Sequence, residues 1–130
     1  MISFVKGYPT QNALDLLKKG DLIIINSKLI TSPLEVESAY RKAKRSFEKG
    51  SNISHDVGSE TMLYLLGKRQ ISEAIKKFGL NERDNEYFII SEKDLDLESL
   101  GFKKIDFEKK CVDEDILKRL EEIAIFEIKK

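Results

Sequence analysis

The chain has 130 residues, and its 41% hydrophobic and 35% charged residues predict one folded domain over residues 1–130 rather than a disordered segment. The 23 basic and 23 acidic residues cancel, which argues against a protein that holds nucleic acid by net charge alone. No apolar run approaches the roughly 20 residues of a membrane span, so we expect a cytoplasmic protein without a membrane partner.

The first 26 residues predict a strand, a helix and a second strand. Residues 2–5, ISFV, are an apolar strand candidate, and TQNALDLLKKG predicts a helix that ends at Gly20. The β-branched run in DLIIIN is typical of a strand that is buried on both faces. Short links between these elements favour an α/β fold.

The segment SPLEVESAYRKAKRSFEKG carries start and stop signals for a helix. Ser32 as the N-cap, Pro33 in the first turn and Glu35 three residues after the cap predict a capping box. Gly50 predicts the end of the helix. The predicted core stripe is Val36, Ala39, Tyr40, Ala43 and Phe47.

The opposite face of this helix is basic. Arg41, Arg45 and Lys49 recur every four residues, and we name this set the basic ridge. One explanation is a site for an anionic partner. The other is a solvated face in which Glu37 pairs with Arg41, a contribution of roughly 0.2–0.5 kcal/mol.

Two cations precede the next amphipathic helix, which is predicted from ISEAIKKFG. Its predicted apolar stripe is Ile71, Ala74, Ile75 and Phe78. Gly79 is expected to end it in a left-handed conformation. Lys68 and Arg69 stand at its N-terminal end, where an exposed cation is unfavourable by roughly 0.3–1 kcal/mol.

Two compatible explanations account for these cations. The preceding segment, residues 62–66, is apolar nearly all round and predicts a helix between neighbouring elements. If Gly67 closes that helix, the cations lie at its negative end and Glu73 can pair with Arg69. Alternatively, Lys68 and Arg69 form an anion site with the free N–H groups of the next helix, and Gln70 offers hydrogen bonds to a base or ribose.

The last third of the chain predicts two strands and two helices. EYFII and FKKIDF are the strands, KDLDLESLG is a short helix, and DEDILKRLEEIA is a helix capped by Asp113. In IFEIKK, Phe126 and Ile128 alternate with polar residues, which predicts a terminal strand or an exposed apolar tail. The whole pattern predicts the α/β class, with a small mixed sheet of about four strands packed with about six helices.

Charge is distributed unevenly along the chain. Residues 1–80 carry 13 basic and 8 acidic residues, whereas residues 81–130 carry 10 basic and 15 acidic residues. This polarity fits a molecule with one face for an anionic partner and another face for a different partner.

Candidates for catalysis are isolated in the sequence. His55 stands beside Asp56 with serines nearby, but neighbours at a helix start point in different directions, and there is no G-x-S-x-G turn. Cys111, the single cysteine, has no plausible histidine partner. No metal-ligand spacing or phosphate-binding glycine motif occurs. We therefore expect no enzyme activity, metal or cofactor; a small hydrolase using His55 or Cys111 is the alternative.

A further set of positions carries a family resemblance: Phe47, Gly50, Asn52, Ile53, Glu60, Leu63, Tyr64, Leu65, Gly67, Arg69, Gln70, Ile71, Ala74, Ile75 and Gly79. In this pattern the chain resembles the small regulatory subunit of the KEOPS complex, the PRPK-binding protein (TPRKB) family. The resemblance covers most of the chain in order and length and is densest over residues 34–80. The acidic C-terminal third matches only in outline.

The resemblance implies a role in tRNA modification. KEOPS installs the threonylcarbamoyl group of threonylcarbamoyladenosine on tRNAs that read codons starting with A. A subunit of this type docks on the small atypical kinase/ATPase, stimulates it and helps recruit tRNA through the single-stranded 3′ CCA end. The threonylcarbamoyl transferase subunit is then an indirect partner, and this subunit type is not known as an enzyme.

Residues can be assigned to these roles as hypotheses. The basic ridge, Lys68 and Arg69 would attract tRNA phosphates, whereas Asn52 and Gln70 would read the unpaired nucleotides. An apolar patch for the kinase is expected in the tail, at Ile125, Phe126 and Ile128. The alternative from another class is a protein–protein adaptor that binds no RNA and whose cations only keep it soluble.

Overall fold

The computed structural model describes residues 1–108 and 113–130. The strands are β1 (Ile2–Gly7), β2 (Ile23–Asn26), β3 (Glu86–Ile90) and β4 (Phe102–Lys104). The helices are α1 (Gln11–Lys19), α2 (Pro33–Lys49), α3 (Val57–Leu66), α4 (Ile71–Phe78) and α5 (Asp113–Lys129), and a 3₁₀ turn spans Glu98–Leu100. These elements confirm the predicted α/β class and the number of strands.

The four described strands form one sheet in the order β2-β3-β1-β4, and every neighbouring pair is antiparallel. The prediction of a mixed sheet is therefore wrong. Strands β1 and β2 run in the same direction and are joined through α1, but β3 lies between them and pairs with both. Phe88 of β3, for example, lies opposite Phe4 of β1 and Ile25 of β2.

Each face of the sheet carries a buried core. Ile24 and Ile89 pack on one face against α1 and the 3₁₀ turn. Ile25 and Phe88 pack on the other face against the helices α2 to α5. Burial on both faces confirms the prediction for β2, and each such side chain contributes roughly 1.5–3 kcal/mol.

Helix α2 begins with the predicted capping box. The Ser32 hydroxyl accepts a backbone hydrogen bond from the first turn, and Glu35 Oε2 accepts one from the Ser32 N–H at 3.0 Å. Gly50 ends the helix with a φ of +72°, in the left-handed region that favours glycine. Tyr40 and Phe47 are only half-buried. The fully buried members of the predicted core stripe are Val36, Ala39 and Ala43.

Helix α3 packs between α2 and α4, as its apolar sequence predicts, and Gly67 closes it with a φ of +77°. Helix α4 ends differently from the prediction, because Gly79 has a φ of −81° and is not left-handed. Glycine is still required there, since a Cβ would lie 2.4 Å from the carbonyl oxygen of Ile75. Ala74 and Phe78 are buried as predicted, but Ile75 is 46% exposed.

Helix α5 is longer than the sequence predicts. It continues to Lys129, so the expected terminal strand or exposed tail is wrong. Ile123 and Phe126 belong to its buried stripe, and the ring of Phe126 packs edge-on against Tyr64 with centroids 5.1 Å apart. Ile128 points to solvent because it lies two residues beyond Phe126 on the same helix. The alternation that suggested a strand is therefore also compatible with a helix.

Candidate functional site

A groove of about 380 Å³ lies between the α3–α4 corner and the last turns of α5. We name this groove the notch. Residues 66–69 form one wall, and Glu122, Ile125 and Lys129 of α5 form the other. The structure thus brings two predicted RNA-binding residues, Lys68 and Arg69, next to two residues that were predicted to bind the kinase, Ile125 and Phe126.

The cations of the notch are only partly paired. Lys68 Nζ lies 3.9 Å from Glu73 Oε1, at the limit of an ion pair, whereas Lys77 Nζ lies 3.2 Å from the same oxygen. The predicted pair of Glu73 with Arg69 is not formed, because Glu73 points to the two lysines. Within residues 1–108 and 113–130, neither Arg69 nor Lys129 has a carboxylate partner. The notch therefore presents cations on both walls.

The two amides that were predicted to read nucleotides are in different environments. Gln70 is exposed at the N-cap of α4 and makes no capping hydrogen bond with its side chain. Asn52 is half-buried, and its Nδ2 donates a hydrogen bond to the backbone oxygen of Ser54 at 2.8 Å. Gln70 is thus the freer of the two for a ligand at the notch.

The basic ridge lies on the other side of α5. Arg41, Arg45 and Lys49 are exposed, but Arg45 Nη2 donates to both carboxylate oxygens of Glu127, at 2.9 and 3.1 Å. The predicted pair of Glu37 with Arg41 does not occur among the residues with described positions. Because Glu127 faces the ridge while Ile125 and Lys129 face the notch, α5 separates the two cationic regions.

A fully buried carboxylate, Glu60, lies beneath the notch and was not recognised from the sequence. It accepts hydrogen bonds from the backbone N–H groups of Ile53 and Ser54, at 3.0 and 2.9 Å. Lys130 Nζ donates to it at 2.6 Å and lies 4.8 Å from the centroid of the Tyr64 ring. The available signal was that Glu60 is the only charged residue in the sequence of α3, and a buried acid requires a partner.

The environment fixes the charge state of this pair. Burial alone would raise the pKa of Glu60, but hydrogen bonds from Lys130, Ser54 and Ile53 outweigh burial and lower the pKa. Burial alone would lower the pKa of Lys130, but the bonds to Glu60 and Tyr64 outweigh it and raise the pKa. Both groups are therefore charged at neutral pH.

A second buried carboxylate anchors the start of α5. Glu35 has no exposed surface, and its Oε1 accepts a hydrogen bond from Arg119 Nε at 3.0 Å. Among the described residues, three ion pairs tie α5 to the rest of the fold: Arg119 with Glu35, Glu127 with Arg45, and Lys130 with Glu60.

The face of α5 that points away from the core is apolar at several positions. Leu117 is 59% exposed, Ile125 is 48% exposed and Ile128 is 83% exposed. Leu117, Ala124 and Ile128 follow a spacing of i, i+7 and i+11, which places them on one side of the helix together with the exposed Glu121 at i+4. Phe126 is buried in the core and does not contribute to this surface. We name Leu117, Ala124, Ile125 and Ile128 the outward face.

The model of the family described as kinase binding protein CGI-121 matches residues 10–125. The chain belongs to this family. The match confirms the resemblance to the PRPK-binding protein family that the sequence indicates. It includes the α3–α4 corner and α5 up to Ile125, whereas Lys129 and Lys130 lie beyond the matched residues. Membership of the CGI-121 family supports protein binding, and specifically kinase binding.

The hydrolase alternative gains no geometric support in this CGI-121 family member. Asp56 caps α3, since its Oδ1 accepts from the Ser59 N–H at 2.7 Å and its Oδ2 from the Ser59 hydroxyl at 2.9 Å. The Ser54 hydroxyl is engaged with Glu60 at 3.0 Å. His55 is exposed, with no hydrogen bond to a residue that the structure describes. Cys111 lies outside the described residues.

In residues 1–108 and 113–130, no group of three or more His, Cys, Asp or Glu side chains is arranged to hold a metal ion. In the same ranges, no helix combines the length and the apolar sequence that crossing a bilayer requires.

Proposed function

We propose that this protein is a non-catalytic subunit of the KEOPS tRNA-modification complex in the cytoplasm. It binds and activates the small atypical kinase/ATPase subunit and helps recruit tRNA through the 3′ CCA end. The threonylcarbamoyl transferase subunit is an indirect partner. One observation carries the proposal: in a member of a kinase-binding family, a single helix presents an apolar outward face and one wall of a cationic notch.

The outward face is the surface that we assign to the kinase. An exposed apolar helix face is unfavourable in water unless a partner covers it, and the cores of protein interfaces are enriched in apolar residues. Leu117 and Ile128 are the two most exposed apolar residues of α5. The three ion pairs hold the opposite side of the helix against the fold, so docking needs no rearrangement of α5.

Association with the purified kinase/ATPase subunit tests this half of the proposal. Leu117→Asp and Ile128→Asp each place a charge in the proposed interface, and each should weaken association by about thirtyfold or more. Tyr8→Asp is the matched control, because Tyr8 is 64% exposed in the loop between β1 and α1. Failure of the unaltered chain to bind the kinase or to stimulate its ATP hydrolysis would reject the assignment to KEOPS.

The notch is the surface that we assign to tRNA. Lys68, Arg69 and Lys129 can contact phosphates of a single strand, and each phosphate contact contributes about 0.7 to the salt dependence of binding. The exposed amide of Gln70 can reach a base edge, because unpaired nucleotides leave those edges open.

Titration with two forms of tRNA tests this half of the proposal. Intact tRNA and tRNA without the 3′ CCA are each titrated at two salt concentrations. We expect intact tRNA to bind more tightly than tRNA without the 3′ CCA, and its affinity to fall more steeply as the salt concentration increases. Equal affinity for the two forms would reject recognition of the 3′ end.

The adaptor without RNA binding is the second candidate function, and one observation favours it. Arg45, at the centre of the basic ridge, is already neutralised by Glu127, so this part of the positive surface is not available to an anion. If the protein is such an adaptor, it should bind the kinase and show no measurable affinity for tRNA at either salt concentration.

A further inference from the structure

The buried pair beneath the notch connects parts of the molecule that are distant in sequence. The side chain of Lys130 is only 6% exposed, and that of Glu60 is fully buried. Lys130 lines the notch from below, and it follows Lys129, which forms part of the α5 wall. The pair is therefore placed where it can influence the shape of the notch, while little of either side chain is open to a ligand.

Glu60 also holds the loop that carries Asn52. Its Oε1 accepts hydrogen bonds from the N–H groups of Ile53 and Ser54 and from the Ser54 hydroxyl. The amide of Asn52 in turn donates to the backbone oxygen of Ser54. One carboxylate thus fixes the loop between α2 and α3, while its other oxygen accepts a hydrogen bond from Lys130 Nζ.

Lys130 fixes the last turn of α5 through three contacts. Its Nζ donates to Glu60 on α3 and to the hydroxyl of Ser46 on α2, and it lies over the ring of Tyr64. These partners belong to the two helices on which α5 rests. Without them, the partly exposed pair of Glu127 with Arg45 would be the remaining ion pair that holds the last turn among the described residues.

We infer that Lys130 and Glu60 are positioning residues for RNA binding: they set the distance between the two walls of the notch and the place of the Asn52 loop. This inference rests on the proposed tRNA function. Lys130→Met leaves the buried carboxylate of Glu60 without its cation and is therefore destabilising, so a variant that is destabilised elsewhere is needed as a control. The expected effect is on the geometry that distinguishes intact from truncated tRNA.

The experiment compares three variants of the full chain: Lys130→Met, Lys129→Met and Val5→Ala. Lys130→Met removes the positioning contact and keeps an apolar stem of similar length. Lys129→Met removes a neighbouring cation that is exposed in the notch. Val5→Ala lowers stability through the fully buried core on the other face of the sheet, far from the notch.

Each variant is titrated with intact and truncated tRNA at two salt concentrations. For Lys130→Met, we expect the preference for intact tRNA to fall about tenfold while the salt slope stays unchanged, because no phosphate contact is removed. For Lys129→Met, we expect the slope to fall by about 0.7. For Val5→Ala, the preference and the slope should stay as in the unaltered chain.

Hydrogen exchange supplies a second readout. In Lys130→Met, the amides of Ile53 and Ser54 should exchange faster, because Glu60 is no longer held on its other side. If Lys130→Met does not fold, Glu60→Gln replaces it in the same titrations, since it keeps the shape of the side chain and removes the charge that holds Lys130. The same loss of preference at constant slope is then expected.

The outcomes separate this inference from the proposed function. An unchanged preference for intact tRNA in Lys130→Met and Glu60→Gln would overturn the inference. The inference would also fail if the salt dependence of tRNA affinity fell as much in Lys130→Met as in Lys129→Met. Loss of tRNA binding on charge reversal at Lys68 and Arg69 would still support the proposed function in those cases. If the unaltered chain binds both tRNAs equally, the proposed function fails first.

Discussion

The basic ridge and the notch lie on opposite sides of α5 and differ in how their cations are paired. On the ridge, Arg45 is bound by both oxygens of Glu127. In the notch, the nearest carboxylate to Lys68 is 3.9 Å away, and Arg69 and Lys129 have no carboxylate partner in the described part of the chain. The two regions carry similar numbers of cations but offer a different amount of unneutralised charge.

The presence of a cation does not by itself indicate an anion site. The cation must also be without a carboxylate partner that neutralises it. An anion that binds at the ridge must compete with Glu127 for Arg45, whereas in the notch Glu73 lies at the limit of an ion pair with Lys68, and Arg69 and Lys129 have no carboxylate partner among the described residues. We therefore propose the notch, rather than the ridge, as the surface for tRNA. The assignment of the ridge residues Arg41, Arg45 and Lys49 to tRNA binding stays a prediction.

Charge reversal gives the largest expected contrast between the two regions. Lys68→Glu with Arg69→Glu should weaken intact tRNA on the order of thirtyfold, because two cations are replaced by two anions at a single-strand site. The matched double variant Arg41→Glu with Lys49→Glu on the ridge should weaken it by about threefold at most. Filter binding or fluorescence titration at one fixed salt concentration measures both. A larger loss for the ridge variant would reverse the comparison.

The pH dependence of stability distinguishes the carboxylate beneath the notch from the one on the ridge. The pKa of Glu60 is lowered in the folded state, so its contribution to stability is present above the ordinary glutamate pKa of about 4.3 and is lost as the pH falls through the folded value. As the pH is lowered from about 5, the free energy of unfolding should therefore decrease less for Glu60→Gln than for the unaltered chain.

Urea unfolding at a series of pH values measures this effect. Glu127→Gln serves as the control, because the pair of Glu127 with Arg45 is partly exposed and its contribution is screened. Parallel stability curves for Glu60→Gln and the unaltered chain would show that folding does not change the pKa of Glu60, which would contradict the expected contribution.

Release of the ridge arginine should have a smaller effect. Glu127→Gln removes the charge that neutralises Arg45, so the affinity for intact and truncated tRNA should rise by the same factor, about twofold to threefold. The rise should disappear at high salt. An increase for intact tRNA alone would mean that the ridge, and not only the notch, recognises the 3′ end.

The smallest expected effect concerns the stability that the ridge pair contributes. Arg45→Met should change the free energy of unfolding by less than about 1 kcal/mol, as is usual for an exposed ion pair. Arg119→Met is the matched comparison, because it leaves the buried carboxylate of Glu35 without its cation and should cost about 3 kcal/mol. Equal costs in urea unfolding would contradict the distinction between exposed and buried pairs.

Local features of the fold could be predicted because their causes lie within a few residues. The capping box joins Ser32 to Glu35, three residues apart, and Gly67 ends α3 in a left-handed conformation that glycine favours. The buried run of β2 is equally local. The position of β3 between β1 and β2 depends on pairing across more than sixty residues, which short-range patterns do not contain.

The candidate site shows the same limit. Lys68, Arg69 and Gln70 could be selected because their place after a glycine at a helix boundary is a local signal. The pairing of Arg45 with Glu127 and of Lys130 with Glu60 joins residues 82 and 70 positions apart, so the sequence alone could not show which cations are neutralised. From the sequence, Phe126 was assigned to the surface because the short run IFEIKK is compatible with both a strand and a helix. The packing of Phe126 against the distant Tyr64 shows that this residue lies in the core.

The ion pairs of α5 also fix its position along its own axis. A slide of one helical turn, about 5.4 Å, would separate Arg119 from Glu35 and Lys130 from Glu60 at the same time. The positions along α5 are therefore fixed relative to the rest of the fold. Leu117 and Lys129 are about 18 Å apart along the helix axis, at a rise of about 1.5 Å per residue. A kinase on the outward face and an RNA in the notch would bind to the same rigid helix, so the orientation of one would determine the approach of the other.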